Sequence, residues 1–380
     1  MNKIMISCGE PSGDLYAGAL AVEIRRREPD AAIFGLGGQR LMAGGGELLA
    51  DYRGLSVTGL VEALRVIPKS FSVLNRLIES ARVEKPNALV AIDFPDFNFR
   101  LAAAVKKLGI PVIYYISPQL WAWRKSRMRV IKRIADRVLV IFPFEEQIYR
   151  DAGVPVQFVG HPLVDLARAQ EPRDAFLREI GLDGSRPIVA LLPGSRPNEV
   201  ERLLPVMRDA VKHVVARRQG VQFVIARAPS LDDRLFADVK WDPVKPAIVL
   251  ARTDDVLAIA NVVITASGTA TVQAALHGCP MVVIYRLSPL SYRLGRRFVH
   301  VDDVAMVNLI AGRRIVPELI QDECTAESIA DEALSLLRDA KRAELMRAGL
   351  AEVRGKLGSP GASSRAAEAV LDVARSKRAP

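Results

Sequence analysis

The feature that most constrains this chain is a repeated rhythm. Short, near-continuous Val/Ile/Leu runs alternate with segments of helical periodicity. In the first half the runs are Lys3–Cys8, Ala31–Leu36, Ala88–Asp93, Val112–Ser117, Arg137–Phe142 and Val156–Val159, with helical patterns over Leu15–Arg27, Asn98–Leu108 and Arg124–Ala135. Runs without polar alternation fit strands covered on both faces, and βα alternation implies a parallel sheet. After a charged, proline-containing stretch, Arg168–Arg186, the rhythm restarts. Strands are expected at Pro187–Leu192, Gln222–Ala226, Ile248–Ala251, Asn261–Thr265 and Met281–Tyr285, and helices at Glu199–Arg217 and Thr269–His277. The last third is helical by periodicity over Ala326–Arg338, Arg342–Lys356 and Ser364–Ser376.

These elements predict an α/β protein with two Rossmann-like domains whose parallel sheets face each other across a cleft. At 380 residues the chain exceeds one typical domain. A single open sheet of about twelve strands is the weaker alternative. The expected boundaries are an N-terminal domain over 1–168, a C-terminal domain over 169–345, and closing helices over 346–380. Those helices pack back on the first domain or on a partner chain, which leaves a homodimer open.

Half of the residues are hydrophobic and only 6% aromatic, enough for an ample aliphatic core. The net charge of +10, from 53 Lys+Arg against 43 Asp+Glu, suits nucleic acid, anionic membrane or phosphorylated ligands without choosing among them. No apolar run reaches the ~20 residues needed to span a bilayer. The first apolar run is too short, and too soon followed by a turn, for a signal peptide. Cys8, Cys279 and Cys324 are scattered without C-x-x-C spacing, against both disulfide and zinc frameworks. A cytoplasmic setting is expected.

Chemistry-bearing residues gather where strands end. Gly9-Glu10-Pro11-Ser12-Gly13-Asp14 follows the first strand and opens a helix, but is not the G-x-G-x-x-G of a dinucleotide site. Glu10 is the better placed of its carboxylates to face a crevice, and Asp14 reads as a helix-start residue. Asp93 ends an apolar strand and is a candidate general base. Asp96 is a second candidate, although a helix-start role suits it better. In the second half, Gly194-Ser195-Arg196 joins a strand to a helix start, with a glycine for close approach and a bidentate donor, an arrangement suited to phosphate. The weaker alternative is an ordinary βα turn whose arginine pairs with Glu199 or Glu201. Ser267-Gly268-Thr269 repeats the theme for a pyrophosphate, or is a capped helix. Two such turns in one half favour a nucleotide diphosphate.

Around Val57–Ala81, apolar residues including Leu64, Val66, Ile67, Phe71 and Leu74 interleave with Arg65, Lys69 and Arg76. Pro68 is expected to split this stretch into at least two short segments. It reads as core-packing helices or as a membrane-surface patch. The basic run Arg124–Arg133, after Trp121 and Trp123, suits nucleic acid, anionic lipid or plain solvent. No His/Cys/Asp set has metal-ligand spacing, so transfer without metal or cofactor is the expectation.

Together the motifs resemble the lipid-A-disaccharide synthase family, inverting glycosyltransferases of GT-B architecture. The matching segments run in order: Gly9–Asp14, Ile92–Asn98, Tyr115–Arg124 (YISPQLWAWR), Phe142–Glu145, Gly160-His161, Leu192–Arg196 with Glu199 and Glu201, Ala266–Ala270, Cys279–Val283 and Asn308–Gly312. The resemblance implies UDP-2,3-diacylglucosamine as donor and 2,3-diacylglucosamine 1-phosphate (lipid X) as acceptor, joined β(1→6) with release of UDP. It implies a C-terminal nucleotide half holding Gly194, Ser195, Arg196, Ser267, Gly268, Thr269, Gln273 and Asn308. It also implies an N-terminal acceptor half in which Asp93 is the base, beside Glu10 and Asp96. Gln273 departs from the family's usual glutamate and would grip a ribose without charge assistance. Pro11 stands where the family often has Thr or Ala. Acylated substrates favour reading Leu64, Val66, Ile67, Phe71 and Leu74 as a patch for the inner-membrane surface, with peripheral attachment and no nucleic-acid partner. The alternatives are another GT-B UDP-sugar enzyme, such as an epimerase or a peptidoglycan glycosyltransferase, and, from another class, an NAD-linked oxidoreductase.

Overall fold

The computed structural model describes residues 2–55, 60–117, 127–287 and 304–376, and the side chains of 60–66 lie outside that description. The chain divides into two compact units, each on its own parallel sheet. The first comprises residues through Pro162 together with those from Leu357 onward, and the second takes most of what lies between. The expected divisions were at 168 and 346. Here the chain leaves the first unit after Pro162 and rejoins it at Leu357.

The first unit's strands are β1 (Lys3–Cys8), β2 (Ala32–Gly37), β3 (Glu47–Asp51), β4 (Ala88–Ile92), β5 (Val112–Tyr115), β6 (Arg137–Val140) and β7 (Val156–Phe158). Their order is β3-β2-β1-β4-β5-β6-β7, all parallel. Connecting helices include α1 (Pro11–Arg27), α2 (Gln39–Ala43), α3 (Leu60–Glu84), α4 (Pro95–Lys107), α5 (Met128–Ile134) and α6 (Pro143–Asp151). β4 is buried along its whole length, and on one face Met5, Leu77, Leu89, Leu101 and Val105 form a continuous core. The order reverses direction between β1 and β4, so the crevice of this unit lies at their carboxyl ends.

The second unit repeats the plan with β8 (Ile188–Leu192), β9 (Gln222–Arg227), β10 (Ala247–Leu250), β11 (Val262–Ala266), β12 (Met281–Tyr285) and β13 (Glu318–Ile320), ordered β10-β9-β8-β11-β12-β13. Its switch point lies between β8 and β11. The helices needed below are α7 (Arg173–Glu179), α8 (Pro197–Arg217), α9 (Thr253–Ile259), α10 (Thr269–Leu276), α11 (Met306–Ala311), α12 (Ala326–Arg338) and α13 (Ala340–Lys356). The last helix, α14 (Ala362–Ser376), belongs to the first unit.

One expectation is corrected. Pro68 does not split its segment, because α3 runs through it unbroken. An internal proline costs a helix about 3 kcal/mol. Leu74 and Leu77, each buried in the core, return roughly 1.5–3 kcal/mol apiece, so packing carries the helix past the proline. Among the described residues no helix is long and apolar enough to cross a membrane.

Candidate active site

At the carboxyl edge of the first sheet the backbone departs from ordinary geometry. Asp93 and Phe94, directly after β4, have φ of 44° and 49°, and Ile116, directly after β5, has 57°. Left-handed conformations at non-glycine residues cost on the order of 1–3 kcal/mol each and cluster at functional sites. β4 therefore ends at Ile92, and Asp93 begins the turn rather than closing the strand. Its side chain is half-buried. Phe94 leans over the turn after β1: a Cβ built on Gly9 would sit 2.2 Å from the Phe94 ring, so only glycine fits there. The Gly9–Asp14 turn and the Asp93 turn thus meet across the β1/β4 switch point.

The other carboxylates separate by role. Glu10 is half-buried and precedes α1 without capping it through its side chain. Asp14 is buried and lies in the first turn of α1, as expected, but its carboxylate serves a second helix. It accepts from the backbone N–H groups of Gly38 (2.7 Å), Arg40 (3.0 Å) and Leu41 (3.1 Å), and so anchors the start of α2. Asp96 lies in the first turn of α4, is exposed, and pairs with Arg127. That is its helix-start role.

In the second unit, Gly194 has φ 114° and its carbon faces Glu199, whose Oε2 accepts from the Ser195 N–H at 3.3 Å. Arg196 Nη1 bonds Glu199 Oε1 at 2.8 Å. The Glu199 carboxylate therefore lies at the start of α8 and is held by the two groups expected to meet a phosphate. Across the switch point, Gly268 (φ 140°) precedes α10, and among the described residues no side-chain cap closes that helix. The Ser267 hydroxyl donates instead to the Val304 carbonyl at 3.0 Å. A Cβ on Gly268 would meet nothing within 4 Å among the described residues.

Two expected nucleotide contacts are engaged within the protein. Gln273 Nε2 lies 3.3 Å from Asp254 Oδ1, which also receives His277 Nε2 at 3.0 Å. Sequence reading did not single out Asp254. Asn308 is fully buried, and its carboxamide bonds the Val316 carbonyl, Glu318 Oε1 and the N–H groups of Ile315 and Val316. With both donors and its acceptor used, the Asn308 side chain ties α11 to β13.

Of the membrane-patch residues, Ile67 and Phe71 are exposed at 43% and 46%. The Arg100 guanidinium stands 5.2 Å from the Phe71 ring centroid. Leu74 is buried and belongs to the core, not the patch. Leu64 and Val66 have side chains outside the described residues, as do Trp121, Trp123 and Arg124.

A family model described as Lipid-A-disaccharide synthetase matches residues 4–373. The chain belongs to this family. A lipid-A-disaccharide synthase of Myxococcus xanthus is 45% identical over 98% of this chain and 97% of its own length. One of Geobacter metallireducens is 44% identical over 99% and 98%. Among solved structures, a UDP-GlcNAc 2-epimerase of Neisseria meningitidis bound to UDP-GlcNAc superposes with a TM-score of 0.68 at 12% identity, covering 98% of this chain and all of that one. The glycotransferase of kitacinnamycin gives a TM-score of 0.65 at 16% identity, over 98% and 99%. At such identities the structural likeness concerns fold alone, the GT-B class of two parallel-sheet units. In this member of the lipid-A-disaccharide synthase family, the opening motif and the Asp93 motif follow the two strands at the first switch point. The Gly194 and Gly268 turns follow the two strands at the second.

Proposed function

We propose that this enzyme transfers the sugar of UDP-2,3-diacylglucosamine to the 6-hydroxyl of 2,3-diacylglucosamine 1-phosphate, giving a β(1→6) disaccharide and UDP. The observation that carries the assignment of the base is Asp93, a half-buried carboxylate in a strained turn at the first unit's switch point. Asp93 takes the proton of the acceptor hydroxyl. That oxygen bonds to the anomeric carbon as the carbon–oxygen bond to the UDP phosphate breaks on the opposite face. One displacement inverts the centre, so no enzyme nucleophile is involved. Arg196, released from Glu199, and the uncapped start of α10 neutralise charge on the departing diphosphate. Asp254, beside Gln273, supplies the carboxylate that Gln273 itself lacks. Ile67 and Phe71, with Arg100, rest on the inner-membrane surface from which both acylated substrates come.

The test is UDP release with both glycolipids. Arg196→Ala should lower kcat about 10²–10³-fold, as loss of a preorganised donor does, and Asp93→Asn at least as much. Wild-type turnover in Asp93→Asn would remove the base. UDP release independent of the acceptor would favour the epimerase-type alternative.

A further inference from the structure

Two consecutive non-glycine residues in the left-handed region persist only where their surroundings over-determine them. At Asp93 the over-determining groups are in view. Its peptide carbonyl is turned into the sheet, where the Tyr114 hydroxyl and Asn98 Nδ2 each donate to it at 2.8 Å, engaging both lone pairs. Asn98 is itself fixed. Its Oδ1 accepts from the Ser7 hydroxyl at 2.6 Å, and its Nδ2 also reaches the carbonyls of Ser7 and Ile92, at 3.2 Å each. Asn98 and Tyr114 are both fully buried. With the carbonyl pinned and φ held at 44°, the direction in which the Asp93 side chain leaves the backbone is set.

We propose that Asn98, supported by Tyr114, is the positioning residue that aims Asp93 at the acceptor hydroxyl. The proposal rests on the reading of Asp93 as base. Asn98 touches no substrate in this role. Its two Nδ2 hydrogens are shared among the carbonyls of Ser7, Ile92 and Asp93, and so it joins the ends of β1 and β4 and the Asp93 turn into one rigid platform.

The experiment compares the full-length wild type with Asp93→Asn, Tyr114→Phe and Asn98→Ser by kcat, KM for both glycolipids, the pH profile of kcat and thermal midpoint. Tyr114→Phe keeps the ring and removes one donor. It should lower kcat about tenfold, and Asn98→Ser about 10²-fold, the scale of a small misplacement of a reacting group. KM should stay within about twofold, because binding contacts are untouched. The acid limb of kcat should move away from the wild-type position in both variants, since the carboxylate then sits in a different setting. Folded Tyr114→Phe with wild-type kcat and pH profile overturns the proposal. So does a loss of kcat with an unmoved pH profile, which marks lost folded enzyme and not a re-aimed base. If Asn98→Ser does not fold, Tyr114→Phe decides alone. Wild-type turnover in Asp93→Asn removes the base and this role together. An inactive Asp93→Asn beside unchanged Tyr114→Phe and Asn98→Ser removes only the positioning.

Discussion

His161 lies between the rings of Tyr16 and Phe142, with centroids 6.0 and 5.4 Å away, and burial lowers its imidazole to about 3. The unfolded chain binds this proton below about pH 6.5, whereas the folded chain refuses it until near pH 3. The residue's contribution is therefore present above pH 6.5 and is lost as pH falls towards 3. Between pH 7 and 5 the first unit should lose about 2 kcal/mol more in the wild type than in His161→Gln, read from urea unfolding at the two pH values. Equal losses would show that His161 does not carry the acid sensitivity. Other residues mark the limit of sequence reading at this scale. The positions of Asp93, Arg196 and Gly268 in turns after strands were legible, because a strand end or a glycine announces each turn. Asp14 capping a helix that starts 25 residues later, and Asn308 closing a network with Glu318, were not. Their partners are set by tertiary placement, and a polar residue in a motif looks the same whether it faces a ligand or the protein's own backbone.

At the scale of elements, strongly apolar central strands were legible, and so were the edge strands β7 and β10, whereas the edge strands β3 and β13 were missed. β13 opens on Glu318 and β3 begins and ends in an acid, so neither offers an apolar run long enough to read. The charged stretch Arg168–Arg186 concealed α7, which is held down by specific contacts. Arg252 stacks on Phe176 at 4.4 Å and bonds Asp255 and Glu179, while Asp255 also accepts from the Gln170 and Glu171 N–H groups. These partners lie some 80 residues further on, beyond any local pattern. In α3 the apolar residues divide between core and surface, a division that helical periodicity supplies once the helix is known to be continuous. Replacing both Ile67 and Phe71 with Ser should leave the fold intact and weaken sedimentation with anionic vesicles at low salt about tenfold or more, since roughly 1.5–3 kcal/mol is at stake for each apolar group. Unchanged sedimentation would place the membrane contact elsewhere.

At the scale of the whole molecule, the first unit is closed by the end of the chain. α14 buries Ala366, Ala367, Val370, Leu371 and Ala374 against the unit. Its rim carries Arg375 to Glu28 at 2.7 Å and Arg27 to Ser364 at 2.6 Å. The Leu357 carbonyl accepts from the His161 N–H at 2.8 Å. The exposed ion pair contributes about 1 kcal/mol at most, so the apolar face holds the helix. A chain ending at Lys356 should lose the cooperative thermal transition of the first unit and keep that of the second. Two unchanged transitions would show that α14 is dispensable. The same closure governs how the protein is made. When Pro162 leaves the ribosome, the surface that receives α14 is still bare, and more than 190 residues must follow before Leu357 appears. At roughly 5–20 residues per second that interval lasts on the order of 10–40 s. The second unit can fold during that time. The first, although synthesised earlier, finishes last and is the one whose nascent surface a chaperone would have to shield.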